Sequence, residues 1–157
     1  MKKAPIKRSE FLVQLSRDHH LTLLFCWKIK EGLKKDIPLI LKDYVLFFWN
    51  EHMQKHFNQE EELLFARSSS SLCELVTQQH LQINGIISQI KDSDNPQKTI
   101  FQTLIDRVNQ HIRLEEREVF PFLEKTLSKE ELEKIGETLK NEKDDFADDY
   151  HVEFWKH

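Results

Sequence analysis

Helix breakers are nearly missing from this chain: three glycines and four prolines in 157 residues. With so few turn formers, and with Leu, Lys, Glu, Ile and Phe abundant, the composition points to an all-α globular protein. Cysteine is scarce as well. Cys26 and Cys73 form no C-x-x-C pair and fall among apolar residues, so they read as two reduced core thiols. No long apolar run is present, and Tyr44 to Trp49 is far too short to span a bilayer. Charge interrupts every apolar run near the start, so no signal peptide is visible and a cytoplasmic location is expected. Dense positive charge is also lacking. The net charge is -4 and the pI about 6.1. Lys2, Lys3, Lys7 and Arg8 form a modest arm that reads as a solubilising tail. Neither nucleic acid nor membrane is expected as a partner.

What the chain does have is amphipathic periodicity, in a length that suits a single domain over 1–157 with a sizeable core. A first helix starts near Ser9, which has N-cap chemistry, and carries Phe11, Leu12, Leu15, Leu23, Cys26, Ile29 and Leu33. A second opens around Pro38, with Asp36 as a cap, and runs to about Arg67 with Leu41, Val45, Phe48, Trp49, His52, His56, Glu60 and Leu63 in one stripe. The serine run from 68 to 71 breaks the chain and caps a third helix, whose stripe is Leu72, Val76, His80, Ile83, Ile87 and Ile90. Asp92 to Pro96 is a loop. A fourth helix carries Phe101, Leu104, Ile105, Val108, His111, Ile112, Glu115 and Val119, with Pro121 placed to bend it near its end. Ser128 to Glu131 is a capping box for a short fifth helix. The segment from Asp144 onward is acidic, then aromatic, and is expected to dock on the bundle or on a partner chain, a second copy included. Long helices with short connections predict an up-down-up-down four-helix bundle over about 9–124, then a short C-terminal helix and aromatic tail over about 128–157.

The stripes hold polar residues that a hydrophobic core would reject. His56-x-x-x-Glu60 and His111-x-x-x-Glu115 each place an imidazole and a carboxylate one turn apart on one helix face. His80 lies in the third stripe. On the first helix His19 falls near the centre of the apolar arc and His20 nearer its edge, so His19 is favoured and His20 kept as the alternative. A lone inward histidine is usually a satisfied core residue. Four stripes with an inward histidine each, two of them with a carboxylate one turn on, form a set that needs a cation, because an unpaired buried polar group costs about 1–3 kcal/mol. Imidazole and carboxylate without thiolate suit iron, zinc or manganese. Two carboxylates in a bundle core fit a pair of ions. The Glu-x-x-His order of ferritin-type bundles is reversed here, which disfavours that class.

These motifs carry a resemblance. Leu15 to His19, His56 to Glu61, Gln79 to Ile83, and His111 to Pro121 together resemble the hemerythrin-like family, the HHE cation-binding domain. The resemblance implies a four-helix bundle around two non-haem iron ions (Fe2+/Fe3+). Glu60 and Glu115 would bridge them, with His19 and His56 on one iron and His80 and His111 on the other. One departure stands out. Oxygen-carrying members place a second histidine one turn before the position of His80, where this chain has Val76. His52, a full turn before His56, reads as core or as a support for the site, and Glu61, Glu116 and Glu118 as solvated or supporting carboxylates. The leading functional expectation is binding of dioxygen or nitric oxide, behind an apolar lining of Phe48, Trp49, Ile83 and Val108. Enzymatic or repair chemistry on peroxide or nitric oxide, iron donation and redox sensing are the alternatives.

Overall fold

The computed structural model describes residues 8–68, 70–142 and 146–156; Lys2, Lys3, Lys7 and Asp144 lie outside them. Every secondary-structure element among the described residues is helical. The first rod is α1 (Val13–Leu33). The second covers residues 38–67 without a break: α2 (Pro38–Phe48), a π-helical stretch Trp49–Met53, α3 (Gln54–Gln59), a second π stretch Glu60–Leu64 and a 3-10 turn Phe65–Arg67. The third is α4 (Ser71–Asp92). The fourth covers residues 98–126: α5 (Lys98–Leu114), a π stretch Glu115–Val119 and α6 (Phe120–Thr126). A shorter α7 (Lys129–Asn141) completes the helices.

The helix ends obey local chemistry, with two corrections. Regular helix begins at Val13 rather than near Ser9. The Ser9 hydroxyl instead accepts from the Phe11 N–H at 3.2 Å and shapes the turn leading in. Asp36 does not cap α2. Ile37 holds that place with no side-chain bond, and Pro38 opens the helix, where its missing N–H has no partner to lose. The fourth rod continues to Thr126, with Pro121 lying near its end. The π stretch just before it gives the Phe120 N–H the Glu115 carbonyl five residues back, and the wider turn lets the helix run on through the proline. Ser70 caps α4 through the Cys73 N–H at 3.3 Å. Ser128 and Glu131 form the capping box of α7, with bonds of 3.1 and 3.2 Å.

Two apolar clusters fill the interior, and the rods pass between them in alternation. The smaller takes Leu15 from α1, Leu64, Val76 and Phe120 from the other rods, and Ile135 from α7. The larger takes Phe25, Phe48, Ile83 and Val108, and also Tyr150 and Phe154 from the C-terminal segment. Along the chain, α1 goes from the smaller cluster to the larger, the second rod returns, α4 goes out again and the fourth rod returns. Each buried large apolar side chain contributes roughly 1.5–3 kcal/mol, so both clusters hold the rods together. The tail docks on its own bundle. The Tyr150 hydroxyl donates to Asp43 at 2.5 Å. Asp148 accepts from the Tyr44 hydroxyl and from Lys28 Nζ, which lies 3.9 Å from the centre of the Trp155 ring. Arg8 is no solubilising charge. Its side chain is only 7% exposed, donating to Glu124 at 2.5 Å and to the Glu116 carbonyl at 2.7 Å. No helix among the described residues is long and apolar enough to cross a membrane.

Candidate metal centre

The six inward residues of the stripes meet in a belt between the two apolar clusters. On each rod the belt residue sits where the chain leaves one cluster and has not reached the other: His19 between Leu15 and Phe25, Glu60 between Phe57 and Leu64, His80 between Val76 and Ile83, Glu115 between Ile112 and Val119. His19, His56, Glu60, His80, His111 and Glu115 are all buried, and both carboxylates have no exposure at all. Helical spacing does this. His56 and Glu60, like His111 and Glu115, are stacked one turn apart on the inner face. Leu64 and Val119, four residues on in the π stretches that begin at Glu60 and at Glu115, are buried as well.

Each imidazole turns Nε2 into the belt. His19 Nε2 lies 3.1 Å and His111 Nε2 2.8 Å from Glu115 Oε1. His56, His80 and His111 Nε2 lie 3.2, 3.3 and 3.9 Å from Glu60 Oε1. Two overlapping quartets result, His19/His56/Glu60/Glu115 and Glu60/His80/His111/Glu115, with one ligand atom per residue and all four within 4.8 Å of one another. Both carboxylates belong to both quartets.

The outward ring nitrogens are held in a closed circuit. His19 Nδ1 lies 2.7 Å from Glu116, His56 Nδ1 3.1 Å from Asp18, His80 Nδ1 3.2 Å from Glu61 and His111 Nδ1 3.0 Å from Gln79 Oε1. Every partner sits next in sequence to a belt residue of its own rod but serves the next rod along. Asp18 of α1 serves the second rod, Glu61 of the second serves α4, Gln79 of α4 serves the fourth, and Glu116 of the fourth serves α1. Neighbours on a helix point about 100° apart, so one aims at the centre and the next at the adjacent helix.

These partners are acceptors, so each Nδ1 carries the proton and donates it. At His56, His80 and His111 the Nε2 atom then presents a lone pair toward carboxylate oxygens, acceptor against acceptor, while His19 Nε2 is within hydrogen-bond distance of Glu115 Oε1 at 3.1 Å. Among the described residues His56 Nε2, His80 Nε2, His111 Nε2, both Glu60 oxygens and Glu115 Oε2 are buried with no hydrogen bond. Only positive charge resolves that arrangement: a cation, or protons in its place. Burial opposes charge on His56, yet Glu60 and Asp18 overcome it and lift its pKa to about 10. At His111 burial prevails over Glu60 and the pKa falls to about 4. Burial alone would raise the Glu60 carboxyl, but the surrounding imidazoles hold it well below the ordinary value. Such a donor set fits a metal pair.

A family model described as the hemerythrin HHE cation binding domain matches residues 11–123. This chain belongs to that family. No curated protein and no solved structure matches it.

Not every residue marked in the sequence of this HHE domain joins the belt. His20 is exposed on α1, outside both quartets. One residue on from His19 it is turned about 100° away from the interior, which leaves His19 as the helix-one member. His52 is buried outside the quartets, its ring stacked 4.9 Å from Phe146. Glu118 is exposed. The aromatic walls also differ from expectation. Phe57 stacks on His80 with ring centres 3.9 Å apart and Phe120 stacks on His19 at 5.5 Å, while Phe48 and Trp49 are buried in the larger cluster. Sequence reasoning gave Asp18 and Gln79 no role. Their one available signal was adjacency to His19 and His80.

Proposed function

We propose that this protein is a non-haem di-iron protein that binds dioxygen or nitric oxide. The observation that carries the reading is the pair of quartets sharing Glu60 and Glu115, with three of the four inward imidazole nitrogens and three of the four carboxylate oxygens left without hydrogen bonds. Glu60 and Glu115 would bridge the ions. His19 and His56 would hold one, His80 and His111 the other. Imidazole with carboxylate suits iron, and also zinc or manganese. Two ferrous ions held there would supply electrons and a binding site for a diatomic ligand. The chain's own residues do the rest. Negative Glu60 and Glu115 offset the charge of the ions, and the four Nδ1 donors fix the rings so that Nε2 points inward. Phe57, Phe120 and the two apolar clusters keep bulk water away. A polar cleft bounded by Gln14, Asp18, His52 and Gln59 reaches His56, with a free volume of about 10 Å3, close to that of one water. We read the alternation of the rods between clusters as the up-down-up-down topology. The buried free thiols Cys26 and Cys73 suit a reducing compartment such as the cytoplasm.

The test is metal analysis with an optical spectrum of anaerobically purified protein, before and after air. Two irons per chain and a spectral change that reverses under vacuum are expected. Fewer than two metal ions per chain at saturation would overturn the dinuclear reading. One observation favours a second reading, turnover of peroxide or nitric oxide. Val76, fully buried one turn before His80, offers no donor, so an ion held by His80 would take no ligand from that turn. Consumption of either substrate by the loaded protein, in place of reversible binding, would decide for catalysis.

A further inference from the structure

The circuit around the histidines is not uniform: three of its acceptors are carboxylates and the fourth, Gln79, is an amide. We infer that this makes the two cation positions unequal, so that the His19/His56 position holds its ion tightly while the His80/His111 position, weakened at Gln79, fills second and empties first. The inference rests on the dinuclear reading of the belt.

Glu60 and Glu115 belong to both quartets, so they do not set the difference. Besides the donor missing at Val76, what differs is the acceptor behind each ring. An imidazole that donates Nδ1–H to a carboxylate becomes a stronger base at Nε2, and a charge-assisted bond is roughly twice as strong as a neutral one. At the first position both rings have carboxylate partners. The Asp18 side chain is only 11% exposed and lies 3.1 Å from His56. The Glu116 side chain is 29% exposed and 2.7 Å from His19. Glu116 shares its charge with the Ser16 hydroxyl and with Arg8 at 3.5 Å, which leaves Asp18 as the stronger lever on this side. At the second position Glu61 is 37% exposed, and water screens its charge. Gln79, 3.0 Å from His111, carries none. Outer partners of this kind alter metal affinity by about 10–100-fold, enough to order the two positions.

Repulsion between the ions weakens any second binding step, so the test must locate the first ion as well as weigh it. The full chain is loaded anaerobically with one equivalent of Co2+, and the anomalous signal at the cobalt edge is mapped in a crystal. The peak is expected between His19 and His56. Gln79→Glu keeps shape and acceptor while adding charge. It should spread the peak over both positions and tighten the second step of a Co2+ titration about tenfold. Asp18→Asn should loosen the first step by a similar factor and move the ion toward His80 and His111. A wild-type peak at His80 and His111, equal peaks at both positions, or an unchanged second step in Gln79→Glu would overturn the inference while leaving the dinuclear reading intact. No cobalt at either quartet would overturn that reading, and the inference with it. Where a variant does not crystallise, its titration decides.

Discussion

Glu60 and Glu115 each answer to two pairs of imidazoles, so neither has a substitute. Replacing either with Ala should leave at most one ion per chain by metal analysis of the purified variant; retention of two ions in both variants would refute the bridging assignment. His19→Ala should lose metal while His20→Ala retains it, because only His19 faces the belt. The six belt residues were legible because 3.6-residue spacing projects them onto apolar arcs, where charge has no solvated explanation. The circuit behind them was not. Asp18, Glu61, Gln79 and Glu116 lie off the arcs, and which rod each one serves depends on how the helices pack side by side, which one helix's periodicity does not encode. Titration gives a further check at this scale, away from the belt. Burial pushes the Cys26 thiol up to about 12, partly opposed by Lys30, and burial together with Asp148 raises the Tyr44 hydroxyl. In the unfolded chain such groups ionise near ~8.5 and ~10. Both folded values are raised, so the stabilisation is fully present below about pH 8.5 and is lost as pH climbs toward 12. The denaturant midpoint should therefore fall steadily from pH 8.5 to 11, with a shallower fall in Cys26→Ala.

At the scale of the element, two helical glycines with opposite surroundings test how the rods are packed. A Cβ at Gly85 on α4 would meet nothing within 4 Å. Gly85→Ala should stabilise by about 0.5–1 kcal/mol through helix propensity. A Cβ at Gly32 on α1 would fall 2.5 Å from Leu41 Cδ2 and 2.9 Å from Phe154. There the crowding, about 1–3 kcal/mol for an overpacked core, should outweigh the propensity gain and loosen the tail. Thermal melts of the two variants should thus move in opposite directions, and a rise in both would mean that the tail yields freely. The helices themselves were legible, down to the Ser128 capping box. The π stretches were not. They depend on a backbone register five residues deep, and no residue type marks them. Glu60 and Glu115 begin two of the three.

Across the whole molecule the polar belt divides what would otherwise be one continuous apolar interior. The larger cluster joins α1, the second rod, α4, the fourth rod and the tail; the smaller joins the same rods to α7. Between them, four imidazoles and two carboxylates depend on positive charge for their mutual tolerance. A protein so divided behaves like two vessels joined by a bolt. With the bolt in place, heat should open both ends at one temperature. After chelation, the end holding Leu15, Val76, Phe120 and α7 should come loose at lower temperature than the aromatic end around Phe25, Phe48 and Tyr150, giving two calorimetric peaks where the charged form gives one. Amide exchange would locate the early release. A single sharp transition in both forms would mean that the belt conducts strain from end to end without its bolt.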